Sequence, residues 1–345
     1  LGSIEARIKT QMEKPVKYSE KLDHTLPLFE KAGQEVFSSC LPHGCEAASR
    51  QELGVLSAGK LPLVLEAKSA LPHVTVGVRP CRTALNRSSI CEYTLNCYGG
   101  CLHGCIYCYA RYMERFYPHS QPWGQFVDVK VDLLEALHRQ LRRLPPGKVF
   151  VSSACDGWQP VESILQLTRQ AVSLLLDRGF TLRILTKSDL VLRDLPLFAD
   201  RPVKLGISLS TLDDELARLW EPQASSPSQR LEVIRRASAL GIRTGVMIAP
   251  VLPGFSDTSE ALAALFEQSV EAGAQEICVD SLNLRPKVWE SISQLLRRCF
   301  PELLSLYRQV LHDSTERRRY LQTLRKQIQR ACKLVGMPTA VTICF

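Results

Sequence analysis

The chain has 345 residues, 45% of them hydrophobic, and a formal net charge of +8. That length supports one large α/β core with appendages, and no stretch approaches the roughly 18 to 20 consecutive apolar residues that a membrane-spanning helix requires. The thirteen cysteines are odd in number and crowd toward the first third, which argues against the disulfide framework of a small secreted domain and for reduced, metal-binding thiols in the cytoplasm.

In chain order, residues 1–85 read as an irregular N-terminal extension. It opens on Leu1-Gly2-Ser3, which resembles a cleavage scar, and carries "CLPHGC" at 40–45 and then a proline-bearing stretch. From residue 86 the text changes. Short β-branched runs at 89–95, 148–155, 181–188, 203–210, 243–251 and 276–284 predict strands, and amphipathic stretches at 131–144, 162–179, 190–199, 228–241 and 259–273 predict helices. Six strands alternating with helices imply a parallel sheet with right-handed crossovers. The expected fold is therefore α/β, a partial (β/α)6 TIM-type barrel over 86–286. Residues 287–345 read as a helical, basic segment in which "STERRRYLQTLRKQIQRACKL" is a solvated helix face or a phosphate-binding face. The final "TAVTICF" predicts a short closing strand.

Cys101, Cys105 and Cys108 lie on a glycine-bearing loop just after the first predicted strand. Their close spacing suits one metal centre. A structural zinc site pairs two ligand knuckles, and no clean second pair follows. Three thiolates suit an iron-sulfur cluster that keeps one iron free of protein, since clusters held wholly by protein use four.

The spacing C-x-x-x-C-x-aromatic-C at the head of a six-unit β/α protein resembles the radical S-adenosylmethionine (radical SAM) superfamily. "LNCYGGCLHGCIYCYAR", "SSACDGWQPVE", "LTKSDLVLRDL", "ISLSTLDDELARLWEP" and "IAPVLPGFSD" together resemble its spore photoproduct lyase-like branch over about residues 80–285. The resemblance implies a 4Fe-4S cluster and S-adenosylmethionine as cofactors, cleavage of S-adenosylmethionine to a 5′-deoxyadenosyl radical, and an electron donor such as flavodoxin or ferredoxin. It also suggests a nucleic-acid substrate; modification of a peptide, protein or small metabolite is the alternative. Two departures mark this chain: Asn96-Cys97-Tyr98 stands where the branch has Asn-Pro-Tyr, and Gly157-Trp158-Gln159-Pro160 where it has Pro-Tyr-Gln-Pro.

Functional groups of a β/α barrel gather at the C-terminal ends of strands. That rule selects Ser153, Cys155 and Asp156, Lys187, Ser208 and Ser210, and the backbone near Ala249. The resemblance assigns Ser153 or Asp156 to the methionine amino group and Lys187 to its carboxylate. Ser208 and Ser210 suit ribose or carboxylate oxygens, and the backbone near Ala249 suits adenine. Asp156 also suits a helix cap, and Glu221 with Arg230 a structural ion pair or a ribose contact. By the same resemblance, Cys155 returns hydrogen to a product radical, with Tyr107 and Tyr109 beside Cys108 as its relay; as a lone strand cysteine it reads as a buried hydrophobe. The upstream Cys40, Cys45, Cys81, Cys91 and Cys97 are candidates for an auxiliary cluster or unrelated thiols, and Cys278, Cys299, Cys332 and Cys344 are expected in the core.

Overall fold

The computed structural model describes residues 61–115, 118–336 and 341–345. Cys40 and Cys45 lie outside them. All described residues belong to one compact unit, residues 55–345. Within the stretch expected to be irregular, helix α1 (Leu61–Ala70) and strand β1 (Thr75–Arg79) are formed. Short strands β2 (Leu85–Arg87), β3 (Tyr93–Leu95) and β4 (Tyr98–Gly99) follow, then β5 (Phe126–Lys130), which matches no expected strand. β5 pairs in parallel with β1 and antiparallel with β4, making a three-stranded sheet beside the cysteine loop.

The β/α series then runs through α2 (Leu133–Leu141), β6 (Lys148–Val151), α3 (Glu162–Leu165), α4 (Leu167–Asp177), β7 (Thr181–Thr186) and α5 (Leu195–Phe198). It continues with β8 (Val203–Leu209), α6 (Asp214–Trp220), α7 (Pro227–Ala239), β9 (Arg243–Val251), α8 (Ser259–Glu271) and β10 (Glu276–Ser281). Helices α9 (Val288–Cys299), α10 (Leu304–His312) and α11 (Ser314–Val335) lead to β11 (Val341–Ile343).

The main sheet has the order β11-β10-β9-β8-β7-β6-β3-β2. Every neighbouring pair is parallel except β2 with β3. The six expected strands are therefore consecutive and parallel, and the sheet is an open partial barrel with edges at β2 and β11. Among the described residues no helix is long and apolar enough to cross a membrane.

Two predicted helices are interrupted for local reasons. The stretch 162–179 breaks at Gln166, which adopts a left-handed φ of 49°. The Glu162 carboxylate fills the break by accepting the amides of Thr168 and Arg169, each at 3.0 Å, so a side chain from α3 caps α4. The stretch 190–199 becomes a 3-10 turn, Asp189–Asp194, followed by the single turn of α5 with proline at its start. The basic helix α11 packs on α8 through Leu324, Ile328 and Ala331 and leaves Arg318, Arg319, Lys326 and Arg330 exposed. The four C-terminal cysteines are less buried than expected: Cys278, Cys299 and Cys332 are half-buried and Cys344 is exposed.

Trp158 is fully buried and its indole N–H donates to Asp194 Oδ2 at 2.8 Å. Asp194 is itself buried and ion-paired with Arg169 and Arg193. Asp194→Ala removes the indole's acceptor and the carboxylate that pairs with Arg169 and Arg193, leaving Arg193 only its longer contact to Glu162 at 3.3 Å. The expected loss of folding stability is about 3 kcal/mol, the low end for breaking a buried pair because both arginines keep some water. Denaturant unfolding measures it, and a loss below about 1 kcal/mol contradicts the role given to Asp194.

Candidate active site

The cysteine loop leaves β4 and is held by hydrogen bonds from the segments that follow β6 and β8. The Leu102 amide donates to Gln159 Oε1 at 2.8 Å, and Gln159 Nε2 returns a bond to the Gly100 carbonyl at 3.4 Å. The Ile106 amide donates to the Trp220 carbonyl at 2.8 Å, and the Gln223 amide to the His103 carbonyl at 3.2 Å. His103 Nδ1 lies 3.4 Å from Asp156 Oδ2. Gly104, with φ of +64°, faces Gly124, where an added Cβ would stand 2.8 Å from the Gly104 Cα. Two glycines are needed for that approach. At the second departure, Gln159, which the branch pattern shares, clamps the loop, and the divergent Trp158 is buried against Asp194.

Cys101 and Cys105 are buried, Cys108 is half-buried, and all three are free thiols. Burial pushes each thiol's pKa up, and Cys101 is raised further by Asp156, Cys108 and Cys105. The three therefore share one dry microenvironment. At Cys108 the amides of Ala110 and Arg111 and the Arg111 guanidinium act in the opposite direction. Thiols so placed give up their protons to a metal, whose positive charge replaces them. Among the described residues no three His, Cys, Asp or Glu side chains gather closely enough for a single ion. A polynuclear cluster takes one thiolate per iron, and three free thiols on one loop are compatible with that donor set.

The other candidate residues fall into two groups. In the first, Lys187 Nζ at the end of β7 donates to Ser208 Oγ at 2.6 Å and to the Ala249 carbonyl at 3.5 Å, and it lies 3.2 Å from Glu221 Oε1. Ser208 and Ser210 donate to the same Ala249 carbonyl at 3.0 and 3.2 Å. The Tyr107 hydroxyl donates to Glu221 and lies 3.0 Å from Ser210 Oγ. Arg230 is fully buried, pairs with Glu221, and donates to the Ser208 carbonyl at 2.7 Å. Burial alone would raise the Glu221 carboxyl, but the Arg230 guanidinium and the Lys187 ammonium, with hydrogen bonds from Arg230 and Tyr107, hold its pKa at about 2.

The second group surrounds the end of β6. Asn96 Nδ2 donates to Ser153 Oγ at 2.9 Å, while Asn96 Oδ1 accepts the Ala154 amide at 2.7 Å and the Cys155 thiol at 3.9 Å. The half-exposed Tyr109 donates its hydroxyl to the Ser153 carbonyl. Cys155 is buried, and burial pushes its pKa up to about 11. The two tyrosines bracketing Cys108 are thus divided: Tyr109 stands with Cys155, whereas Tyr107 belongs to the Glu221 network. Asp156 accepts from Thr186 Oγ1 at 2.7 Å, the Lys187 amide at 2.8 Å and the Trp158 amide at 2.9 Å. Its carboxylate is taken up in joining β6 to β7.

The upstream thiols within the described residues are dispersed. Cys81 donates to the Thr83 carbonyl at 3.4 Å, Cys91 to the Lys148 carbonyl at 3.3 Å, and Cys97 is buried beside Thr168 and Glu162. Asn96, His103 and Gln159 were not singled out as site residues from sequence. Only Asn96 carried a signal, as a side-chain amide directly after the first strand.

A family model described as the Radical SAM superfamily matches residues 95–266. An uncharacterized protein of Mycobacterium tuberculosis is 36% identical over 245 residues, 67% of this chain and 72% of that one. A protein of Pseudomonas phage M6 named radical SAM Nalpha-GlyT isomerase is 25% identical over 185 residues, 53% of this chain and 38% of the other. A solved structure of spore photoproduct lyase complexed with dinucleoside spore photoproduct shares the fold, with a TM-score of 0.59, 15% identity and coverage of 88% of each chain.

Because the Glu221 pKa is depressed on folding, its contribution to stability is fully present above the ordinary glutamate range and is lost as pH falls through about 2. Glu221→Gln is therefore expected to be less stable than the parent by about 3 to 5 kcal/mol near neutrality, with the gap closing in acid. Urea unfolding at several pH values measures it; a gap unchanged down to the lowest pH contradicts the assignment.

Proposed function

The chain belongs to the radical SAM superfamily, and from that premise we propose that it is a radical enzyme acting on a nucleic-acid or nucleotide-like substrate at the strand-end site. The superfamily's cofactors are a 4Fe-4S cluster and S-adenosylmethionine, which together supply an electron, a carbon-sulfur bond cleavage and a 5′-deoxyadenosyl radical that takes hydrogen from substrate. Cys101, Cys105 and Cys108 are the proposed cluster ligands, supplied as deprotonated thiolates.

The observation that carries the reading is the convergence of the cysteine loop with the two polar groups at the strand ends. Lys187, held by Glu221 and Ser208, presents an ammonium suited to the methionine carboxylate. Ser153, fixed by Asn96, offers a hydroxyl for the amino group. Ser208 and Ser210 remain the proposed contacts for ribose, with the backbone at Ala249 against adenine. Asp156 acts through the Lys187 amide and is a positioning residue. Cys155 remains the proposed hydrogen donor; its thiol is aimed at Asn96, and Tyr109 reaches the adjacent Ser153 carbonyl.

Support for a nucleic-acid substrate over a peptide or metabolite comes from two sides. Among the described residues, Cys81, Cys91 and Cys97, three of the five candidates for a second cluster, have separate surroundings. Helix α11 carries an exposed basic face suited to phosphates. An electron donor of flavodoxin or ferredoxin type completes the proposed partners.

Cys105→Ala is expected to abolish both the cluster's visible absorption and 5′-deoxyadenosine formation by the anaerobically reduced protein; retention of both contradicts the ligand assignment. Cys155→Ala is expected to leave cleavage intact while changing the substrate product or raising abortive turnover. An unchanged product and rate make Cys155 a packing residue. Deuterium transfer into 5′-deoxyadenosine from labelled nucleic acid, but not from labelled peptide pools, is the outcome expected of the substrate class.

A further inference from the structure

Arg111 is a buried cation without a carboxylate partner among the described residues. It stands three residues beyond Cys108, in the 3-10 turn Tyr109–Arg115, and is 9% exposed. Its Nη2 donates to the Cys105 carbonyl at 3.2 Å, and its guanidinium carbon lies 6.0 Å from the centre of the Trp123 ring. Nε is buried with no hydrogen-bond partner, as is the Trp123 indole nitrogen. Glu114 and Glu290 act on Arg111 only through space, and Glu114 is ion-paired with Lys287.

Burying an uncompensated charge is costly, and such a charge is retained where a counter-charge or its hydrogen bonds repay the desolvation. The guanidinium bonds the backbone of one cysteine of the loop, the Cys105 carbonyl, and the Arg111 amide donates to the carbonyl of another, Cys108, at 3.4 Å. The orphaned cation therefore faces the loop where an anionic group is to be assembled. An iron-sulfur cluster held by three thiolates is such a group, and its potential responds to local charge, hydrogen bonds to sulfur and exposure.

We propose that Arg111 is the fixed counter-ion of the cluster, a positive charge beside Cys105 and Cys108 that favours the reduced form and raises the midpoint potential. The step concerned is a one-electron reduction: the donor loses one electron, the cluster becomes one unit more negative, and no bond or proton moves. Arg111 touches the ligands and not the substrate, so it is a positioning and tuning residue. The proposal rests on the assignment of Cys101, Cys105 and Cys108 as ligands.

The test is an anaerobic redox titration of the reconstituted full chain, read by visible absorption and electron paramagnetic resonance, in the parent, Arg111→Gln and Arg111→Lys. At a matched solution potential, the reduced-to-oxidised ratio is expected to fall about tenfold in Arg111→Gln, a downward shift of about 59 mV for a one-electron couple. Arg111→Lys is expected to stay within about twofold of the parent, because a charge remains. A loaded Arg111→Gln protein with the parent's potential overturns the proposal. Should Arg111→Gln take up no cluster, Arg111→Lys decides: loading with the parent's potential supports the charge role, and failure to load or a fall in potential overturns it. A parent chain that assembles no cluster overturns the ligand assignment and this proposal with it.

Discussion

A buried loop with three thiols has backbone amides and carbonyls that water cannot reach, and each needs a partner from the protein. Here the partners come from the segments that follow β6 and β8: Gln159 for Leu102 and Gly100, the Trp220 carbonyl at the end of α6 for Ile106, and the Gln223 amide for His103. Everything at the site depends on that attachment. Because those segments leave the strand ends that carry Ser153 and Ser208, with Lys187 at the neighbouring end of β7, securing the loop also sets its placement relative to the groups proposed to bind S-adenosylmethionine. The three-stranded sheet supports the loop from the other side, where Gly124 on the approach to β5 closes on Gly104.

The second organising feature is the carboxylate of Glu221. One buried negative charge meets two cations, Arg230 and Lys187, and accepts the hydroxyl of Tyr107. Tyr107 comes from the cysteine loop, while Lys187 and Ser208 come from β7 and β8. Glu221 therefore joins loop and strands by charge-assisted hydrogen bonds in a region of low polarity, where such bonds are strong and their loss is costly. The ion pair of Glu221 with Arg230 and the Lys187 ammonium are parts of one network.

The parallel sheet was legible because its strands are short β-branched runs set between amphipathic helices, a pattern that carries both type and order. Lys187, Ser208 and Ser210 were legible because strand ends are where a β/α fold collects its functional groups. Other features depend on contacts distant in sequence. Nothing local in "GWQP" says that the indole is buried on Asp194, 36 residues away, or that Gln159 reaches back to the cysteine loop. β5 has the alternation of a strand but needs β1, from the stretch that read as irregular, to complete its pairing. The division of Tyr107 from Tyr109 arises because the chain turns at Cys108, so neighbours in sequence face different strand ends. The half-exposure of Cys278, Cys299 and Cys332 shows the converse limit, since apolar neighbours in sequence do not ensure burial.

The central claim is that the loop of Cys101, Cys105 and Cys108 leaves one iron open to S-adenosylmethionine beside Lys187 and Ser153. Electron-nuclear double resonance on the reduced, reconstituted protein with S-adenosylmethionine labelled at its amino nitrogen and carboxylate oxygen tests this most directly. Hyperfine coupling of both labels to the cluster is expected, together with a changed electron paramagnetic resonance spectrum on addition of the cofactor. A spectrum unaltered by S-adenosylmethionine, with no coupling to either label, contradicts an open iron at this site.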